Sequence, residues 1–166
     1  ATVAYAEGES GTQSNKGTDE LGAESLRAAI TAMMKFKDDR GKLLGVSPDM
    51  LVVPPDLQWT AMELLESTYY WPGEGTTTAN TASNVLKGRL DLLVSPYLTD
   101  ASDWFVLSTK GILKPIILQS RTPVEFAALE ADSESGFMRD QYIYGVCARY
   151  NAGYGLWQMA YGSQVS

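Results

Sequence analysis

The sequence predicts an α+β fold, and three observations indicate it. Two stretches in the first half repeat apolar residues at helical spacing, several later stretches alternate or run continuously as strands do, and the two kinds are not interleaved regularly. The predicted order is helix, strand, helix and then about five strands, which does not fit a repeated strand–helix–strand plan. With 166 residues, 45% of them apolar, the chain is long enough to bury a core of its own.

The first helix follows a lead-in, residues 1–20, that is rich in Gly, Ser and Thr and is expected to be flexible. Gly22 is an acceptable N-cap, and the turn at residues 38–41 ends the helical pattern. Four apolar residues recur at the spacing of one helix face: Leu26, Ala29, Ile30 and Met33. This spacing predicts an amphipathic helix with that stripe in the core.

A buried strand and a second helix are predicted next. Residues 50–53 form a short apolar run that Pro54 ends. Pro55 suits the first turn of a helix because its missing N–H costs nothing there. The helix is predicted to end near Ser67, and the stretch 71–84 is predicted to be a loop because it lacks apolar periodicity.

The second half is predicted to consist of strands. Residues 85–95 alternate, which places Lys87, Arg89 and Asp91 on one predicted strand face. Further strands are expected at residues 104–107, 112–119, 142–150 and 156–161, with an acidic loop inside 126–139. Residues 1–20 and 72–82 are expected to be mobile or held only by neighbouring chains, since little burial would offset the entropy of ordering them.

Composition disfavours several classes of partner. The net charge of −7 disfavours a nucleic-acid groove and an anionic membrane surface, because both require clustered Lys and Arg. The start of the chain has neither a basic region nor the long apolar stretch of a secretory leader, so none is expected. Apolar runs also fall short of the ~20 residues that a membrane-spanning helix needs.

No catalytic, cofactor or metal site is expected. The sequence has no histidine and one cysteine, Cys147, which its apolar neighbours predict to be a small buried side chain. Three sets of acidic residues were considered: Glu130, Asp132 and Glu134 for a cation, and the pairs Asp100/Asp103 and Glu63/Glu66 for acid–base chemistry. A solvated loop, a turn and an exposed helix face explain them better.

Aromatic residues gather near the end of the chain at Tyr142, Tyr144, Tyr150, Tyr154, Trp157 and Tyr161. Such a group can form a binding face for a carbohydrate or a protein, or it can fill a sheet core or a subunit interface. The core and the subunit interface are the favoured interpretations.

Several short sequence motifs occur in an order that resembles that of a known family. The first is Leu51-Val52-Val53-Pro54-Pro55-Asp56-Leu57, and the last comprises Tyr144, Gly145, Ala148, Arg149, Gly153, Tyr154, Gly155 and Trp157. Between them lie Asn84 with Gly88 and Leu90, Pro96 with Leu98, and Gln119, Arg121, Pro123 and Val124. The ordered set resembles the C-terminal half of the Mu-like phage and prophage major head subunits, and more remotely the capsid fold named after phage HK97.

The resemblance implies a fold and a function. Residues 21–120 would form an axial-type domain, a central sheet flanked by helices, and residues 121–166 would be return strands of a peripheral-type domain. The chain would be a non-enzymatic structural subunit that needs no cofactor. It would assemble with itself as hexamers and pentamers into an icosahedral shell that packages DNA. Assembly would take place in the host cytoplasm, with a scaffold or decoration protein as a further candidate partner and the virion as the final location.

Five charged residues are the candidates for subunit contacts: Lys87, Arg89, Asp91, Arg121 and Arg149. Two other functions stay open at this point. One is a small-molecule or carbohydrate-binding module that uses the aromatic residues, and the other is an enzyme that uses carboxylates alone. A deep pocket lined by Trp or by paired acids would favour either of them, whereas strand edges and flat surfaces would favour the head subunit.

Overall fold

The computed structural model describes residues 2–4, 12–70, 82–129 and 143–165. Two α-helices lie in this part of the chain, α1 (Ala23–Met34) and α2 (Gln58–Glu66), and a 3₁₀ turn (Pro55–Leu57) leads into α2. The strands are β1 (Thr2–Ala4), β2 (Thr12–Ser14), β3 (Lys16–Gly17), β4 (Met50–Val53), β5 (Tyr69–Tyr70), β6 (Ala82–Ser83), β7 (Asp91–Val94), β8 (Trp104–Leu107), β9 (Ile116–Leu129), β10 (Ile143–Tyr154) and β11 (Ala160–Ser163).

The chain divides into two units, Ala1–Pro115 with Gly155–Ser166 and Ile116–Tyr154. The first unit is built on a five-stranded sheet in the order β3-β11-β8-β4-β7. In it β4 runs parallel to β7 and antiparallel to β8, while β11 is antiparallel to β8 and parallel to β3. The mixture of two helices with this sheet confirms the predicted α+β class.

One core joins both helices to the sheet. The predicted stripe of α1 is buried, as are Ala61 and Leu65 of α2. These side chains form one cluster with Leu51, Val106 and other residues on a single face of the sheet. Both helices therefore cover the same face, and the strand residues that alternate with the cluster, such as Phe105, point to the other face.

The run at 50–53 behaves as its composition predicts. β4 is the second strand from the edge, and Val53 is fully buried. The 3₁₀ turn begins at Pro55 and passes directly into α2, which ends before Ser67. The predicted buried strand followed at once by a helix is therefore confirmed, since a prolyl nitrogen has no N–H to lose in the first turn.

The described end of the lead-in differs from the expected flexible segment. The Gln13 carboxamide accepts from the Lys37 N–H at 2.7 Å and donates to the Lys37 carbonyl at 3.0 Å. The Asn15 amide donates to the carbonyls of Trp157 and Ala160, beside the site where β3 joins β11. Residues 13–17 are thus held by polar side chains, a type of contact that apolar periodicity does not reveal.

The second unit is a long antiparallel ribbon of β9 and β10. The predicted strand at 112–119 starts later, at Ile116, and continues far beyond its expected end. The predicted strand at 142–150 continues through Gly153 to Tyr154. Both strands continue through glycine and polar residues because they pair with each other there. The local sequence therefore does not indicate where these strands end.

The two compact units have other boundaries than the expected segments, residues 21–120 and 121–166. The expected boundary at residue 120 falls inside β9, and the stretch after Tyr154 returns to the five-stranded sheet. There a 3₁₀ turn (Trp157–Met159) and β11 replace the single strand predicted at 156–161. The axial-type and peripheral-type assignments themselves stay predictions.

Candidate interface surfaces

Three of the five predicted interface charges lie in or next to a turn rather than along a strand. Residues 85–90 form turns and bends, and β7 begins only at Asp91. Lys87 donates to the Thr68 hydroxyl at 2.7 Å. Asp91 pairs with Lys110 at 3.1 Å, and both side chains are largely exposed, so the pair contributes at most about 1 kcal/mol. The single strand face predicted for Lys87, Arg89 and Asp91 is therefore wrong.

Asn84 is the physical reason for that turn. Its buried amide donates to the carbonyls of Leu64 and Ser67 at 2.8 and 3.0 Å. Its carboxamide oxygen accepts from the Leu86 N–H at 3.0 Å, which is an Asx turn. Gly88 then adopts a φ of 65° and donates to the Leu65 carbonyl. Asn84 followed four residues later by Gly88 is the sequence signal for this turn. The alternating apolar pattern of residues 85–95 led to the prediction of a strand instead.

The other two predicted charges, Arg121 and Arg149, lie on the ribbon and are exposed. Arg149 is opposite Thr122, between two shifts of register where β9 carries extra residues. Such bulges bend a strand locally and turn its side chains. The structure therefore brings these two arginines near each other in the ribbon and places them in a different unit from Lys87, Arg89 and Asp91.

The ribbon has an apolar face that is exposed in the described structure. Residues opposite each other in a register share a face, and the even-numbered positions of β10 oppose even-numbered positions of β9 over most of the length. The apolar residues of this face are Ile116, Leu118, Phe126, Ala128, Tyr144, Val146, Tyr150, Ala152 and Tyr154. Ser120, opposite Tyr150, also lies on this face. Val146 is 67% exposed, and Phe126 stacks on Tyr144 with ring centres 5.8 Å apart.

Cys147 lies on the opposite face of the ribbon, across from Glu125, and is exposed. The prediction of a buried cysteine is wrong, because a two-stranded ribbon has no second layer in the described residues to cover its side chains. The predicted strand alternation itself is sound: Tyr144 and Val146 share one face, and Cys147 lies on the other.

The acidic candidates do not assemble a site in the described residues. Asp100 accepts from the Ser102 N–H, which is the turn role expected of it, whereas Asp103 accepts from the N–H of Val165, a residue far away in sequence. Residues 130–134 lie outside the described part of the chain. Across the ranges that the structure describes, no group of three or more acidic or cysteine side chains is placed to hold a metal ion. No helix described there is long and apolar enough to cross a membrane.

The aromatic residues are divided between the two units. Tyr144, Tyr150 and Tyr154 lie on the exposed face of the ribbon. Trp157 and Tyr161 are half-buried in the first unit, where Trp157 meets Phe36 at a ring distance of 5.4 Å. Burial raises the pKa of the Tyr161 hydroxyl, and the negative charge of Asp19 raises it further. Part of the group is therefore core, and part is exposed.

One end of the five-stranded sheet carries exposed aromatic side chains. The carboxyl ends of the parallel strands β4 and β7 lie at the same edge. β4 is followed by the 3₁₀ turn and the first residues of α2, and β7 is followed by a loop of residues 95–103. Trp59 of α2 is 70% exposed, and Tyr97 of the loop is 91% exposed. Asp56 and Asp100 are also exposed in these two segments. We call this surface the aromatic edge.

The opposite end of the same sheet carries a groove of about 460 Å³ between residues 44–47 and 108–113. Val46 and Met159 form part of its lining, and Ile112 stands at its rim fully exposed. Buried Asp49 holds the two segments together, accepting from the N–H of Thr109 and, at 2.7 Å, from the Thr109 hydroxyl. We call this surface the apolar groove.

These features are typical of proteins that associate with other polypeptide. The ribbon exposes a whole apolar face, and the first unit exposes aromatic and aliphatic side chains at both ends of its sheet. Large exposed apolar patches of this kind mark sites of association. A sequence model described as Mu-like prophage major head subunit gpT matches residues 12–98 and 99–166. The chain belongs to that family.

Individual relatives match parts of the chain. The Mu-like prophage FluMu major head subunit of Haemophilus influenzae (strain ATCC 51907 / DSM 11121 / KW20 / Rd) is 45% identical over 65 residues, 39% of this chain and 21% of the relative. The major capsid protein of Escherichia phage Mu is 37% identical over 79 residues, 48% of this chain and 24% of the relative. The matches thus span about a fifth to a quarter of each relative's length.

Among solved structures, this chain is similar to a chain of the procapsid of bacteriophage JBD30. The sequence identity is 36%, the match covers 61% of this chain and 32% of the other, and the TM-score is 0.33.

Proposed function

We propose that this chain is a part of a phage or prophage head subunit that associates with copies of itself into the capsid shell enclosing the DNA. The observation that carries the proposal is the family match, which extends over residues 12–98 and 99–166. The exposed apolar face of the ribbon supports it, because a two-stranded ribbon is marginal in water until other polypeptide covers it.

The proposal includes a non-enzymatic role, the virion as location, and the fold named after phage HK97, with the sheet unit as its axial-type domain and the ribbon in its peripheral-type domain. Assembly in the bacterial cytoplasm and contact with a scaffold or decoration protein are part of the same proposal. A shell made of many repeated contacts needs modest interfaces rather than one tight site.

The test is to express the full-length head subunit that contains this chain and to image the products by negative-stain electron microscopy. Closed shells or hexamers are the expected products. A monomer that instead binds a glycan or a metabolite saturably would overturn the proposal in favour of the binding-module alternative.

A matched pair of variants tests the ribbon within that experiment. Val146→Asp puts a charge on the apolar face, and Asn151→Asp puts the same charge on the opposite face, where Asn151 pairs with Gln119, at a similarly exposed position. Val146→Asp should reduce the yield of particles, because burying an unpaired carboxylate is costly, whereas Asn151→Asp should leave it near that of the unmodified subunit. Equal yields would show that the apolar face is not covered in the particle.

The five charges from the sequence stay proposed subunit contacts. Arg121 and Arg149 are the more accessible for this role, since Lys87 and Asp91 already have partners within the chain. Charge reversal at Arg149 should therefore lower the particle yield more than reversal at Lys87. The opposite order would assign the contact to the turn at residues 85–90.

A further inference from the structure

We propose that the outer side of β7 pairs with β7 of a second copy of this chain, so that two five-stranded sheets join side by side about a two-fold axis. The inference rests on the proposed function and names one contact by which copies would meet. Every residue of the proposed contact belongs to the first unit.

β7 is an edge strand, and within the described residues it pairs with β4 on one side only. The N–H groups of Asp91 and of Ser95, just after the strand, donate at 2.8 and 2.9 Å to carbonyls of β4 and of the residue before it. Successive residues of a strand direct their backbone groups to opposite sides. The N–H and C=O groups of Leu92 and Val94 therefore point away from β4, where an extended strand of another polypeptide can bond to them.

β7 lacks the features that usually protect an edge strand from strand addition. Such features are very short length, a lysine on the strand and β-bulges. β3, at the other edge of the sheet, is two residues long and includes Lys16. The ribbon strands carry two shifts of register in their middle. β7 instead has three consecutive aliphatic residues, 92–94, and its one charged side chain, Asp91, is already paired with Lys110.

The sequence of β7 is complementary to itself in the antiparallel direction. A register centred on Leu93 places Leu92 of each copy opposite Val94 of the other, and these two pairs exchange four N–H···O=C bonds. The two Leu93 side chains then meet as a non-hydrogen-bonded pair, the arrangement in which cross-strand side chains lie closest. Each Asp91 lies opposite Ser95 at one end of the contact, so like charges do not face each other.

The pairing would cover apolar surface that is now in water. Leu93 is 48% exposed, and Leu92 and Val94 are only partly buried against the core. A contact between two short strands is small beside the ~1,600 Å² of a typical stable complex, so it would be weak for one pair of copies and effective when a shell repeats it. It is also closed at two copies, so rings need further contacts.

Opposite charges at position 93 test the contact. Leu93→Lys and Leu93→Glu are made in the full-length head subunit, and assembly is followed by light scattering and electron microscopy. Either variant alone places like charges directly opposite each other, so each should raise the subunit concentration needed for assembly by about fivefold or more. An equal mixture of the two variants brings Lys opposite Glu and should recover most of the loss.

Leu113→Lys is the matched control, because Leu113 is similarly exposed, at 54%, and lies outside β7. It should assemble like the unmodified subunit. A mixture that assembles no better than the worse single variant would overturn the contact, and so would a Leu113→Lys subunit as impaired as Leu93→Lys.

Disulfide formation gives a second measurement that does not depend on charge. Leu93→Cys is combined with Cys147→Ser, which removes the exposed native thiol, and Leu113→Cys in the same background is the control. In the proposed register the two Cα atoms at position 93 are about 4.5 Å apart, a distance that a disulfide can bridge. Oxidised particles of Leu93→Cys should therefore give covalent dimers on a denaturing gel.

The amount of dimer decides the outcome. Leu93→Cys dimers well above the Leu113→Cys level support the pairing of β7 with itself, whereas dimers at or below that level in intact particles would overturn it. The proposed function would stand in the second case, and it fails only if the unmodified full-length subunit forms no particles.

Discussion

Trp104 and Phe126 are both aromatic residues on strands of this chain, and their surroundings differ completely. Trp104 lies in the centre of the five-stranded sheet, 1% exposed, with its indole N–H donating to the Asp19 carbonyl at 3.0 Å. Phe126 lies on the ribbon, two-thirds exposed, with Tyr144 as its ring partner. The comparison teaches that strand-forming sequence does not decide burial. Burial requires a second layer, which α1 and α2 supply to the five-stranded sheet.

The largest expected effect comes from truncating these two rings in the 166-residue chain. Trp104→Ala should lower the free energy of unfolding by about 3–5 kcal/mol, because it leaves a cavity in the core and removes one of the two hydrogen bonds to the Asp19 carbonyl, the other coming from the Ser163 hydroxyl. Phe126→Ala should change it by no more than about 0.5 kcal/mol. Urea unfolding followed by circular dichroism measures both. A comparable loss for Phe126→Ala would mean that the ribbon is covered in solution.

Two asparagines give the next comparison. Asn84→Ala removes three hydrogen bonds from a buried turn and should cost about 2 kcal/mol of unfolding free energy. Asn151→Ala on the ribbon removes one local bond from an exposed side chain and should cost less than about 0.5 kcal/mol. The same urea titration compares the two variants. If they cost the same, the Asn84 turn does not hold the end of α2 in place.

Two glycines should respond with opposite signs. Gly88 has a φ of 65°, so Gly88→Ala should destabilise the chain by about 1 kcal/mol even though a Cβ there would meet no other atom. Gly153 lies inside β10, and a Cβ added to it also meets no other atom. Gly153→Ala should therefore be neutral or stabilising by about 0.5 kcal/mol. Thermal unfolding by calorimetry would detect both shifts. A destabilised Gly153→Ala variant would indicate a close neighbour over the ribbon.

The smallest expected effect depends on pH and involves Tyr161 of the sheet unit. Its pKa in the folded chain is raised above the ordinary tyrosine value of about 10 by burial and by Asp19. A folded-state pKa above the unfolded value gives a stability contribution that is complete below about pH 10 and is lost as the pH rises through the folded pKa. Tyr161→Phe should therefore reduce the loss of stability as the pH rises above about 10. An unchanged alkaline profile would show that other groups cause the loss.

Some features of the protein follow from local sequence alone. The stripe of α1, the apolar run of β4 and the proline that opens the turn into α2 each depend on residues within a few positions of one another. The α+β class follows from the order of the predicted helices and strands, and the family follows from the order of the short sequence motifs along the chain. Local periodicity and turn chemistry therefore suffice where the tertiary environment agrees with them.

Other features depend on residues far apart in sequence, and only the tertiary structure decided them. Asn84 turned the predicted strand at 85–90 into a turn by bonding to the end of α2. β11, which was expected among the return strands, pairs with β8 in the five-stranded sheet. β9 and β10 pair with each other over longer ranges than their local sequences predict. Cys147 was left exposed because the ribbon lacks a covering layer in the described structure. In each case a long-range hydrogen bond or a packing layer outweighs local preference, which is worth about 1 kcal/mol or less per residue.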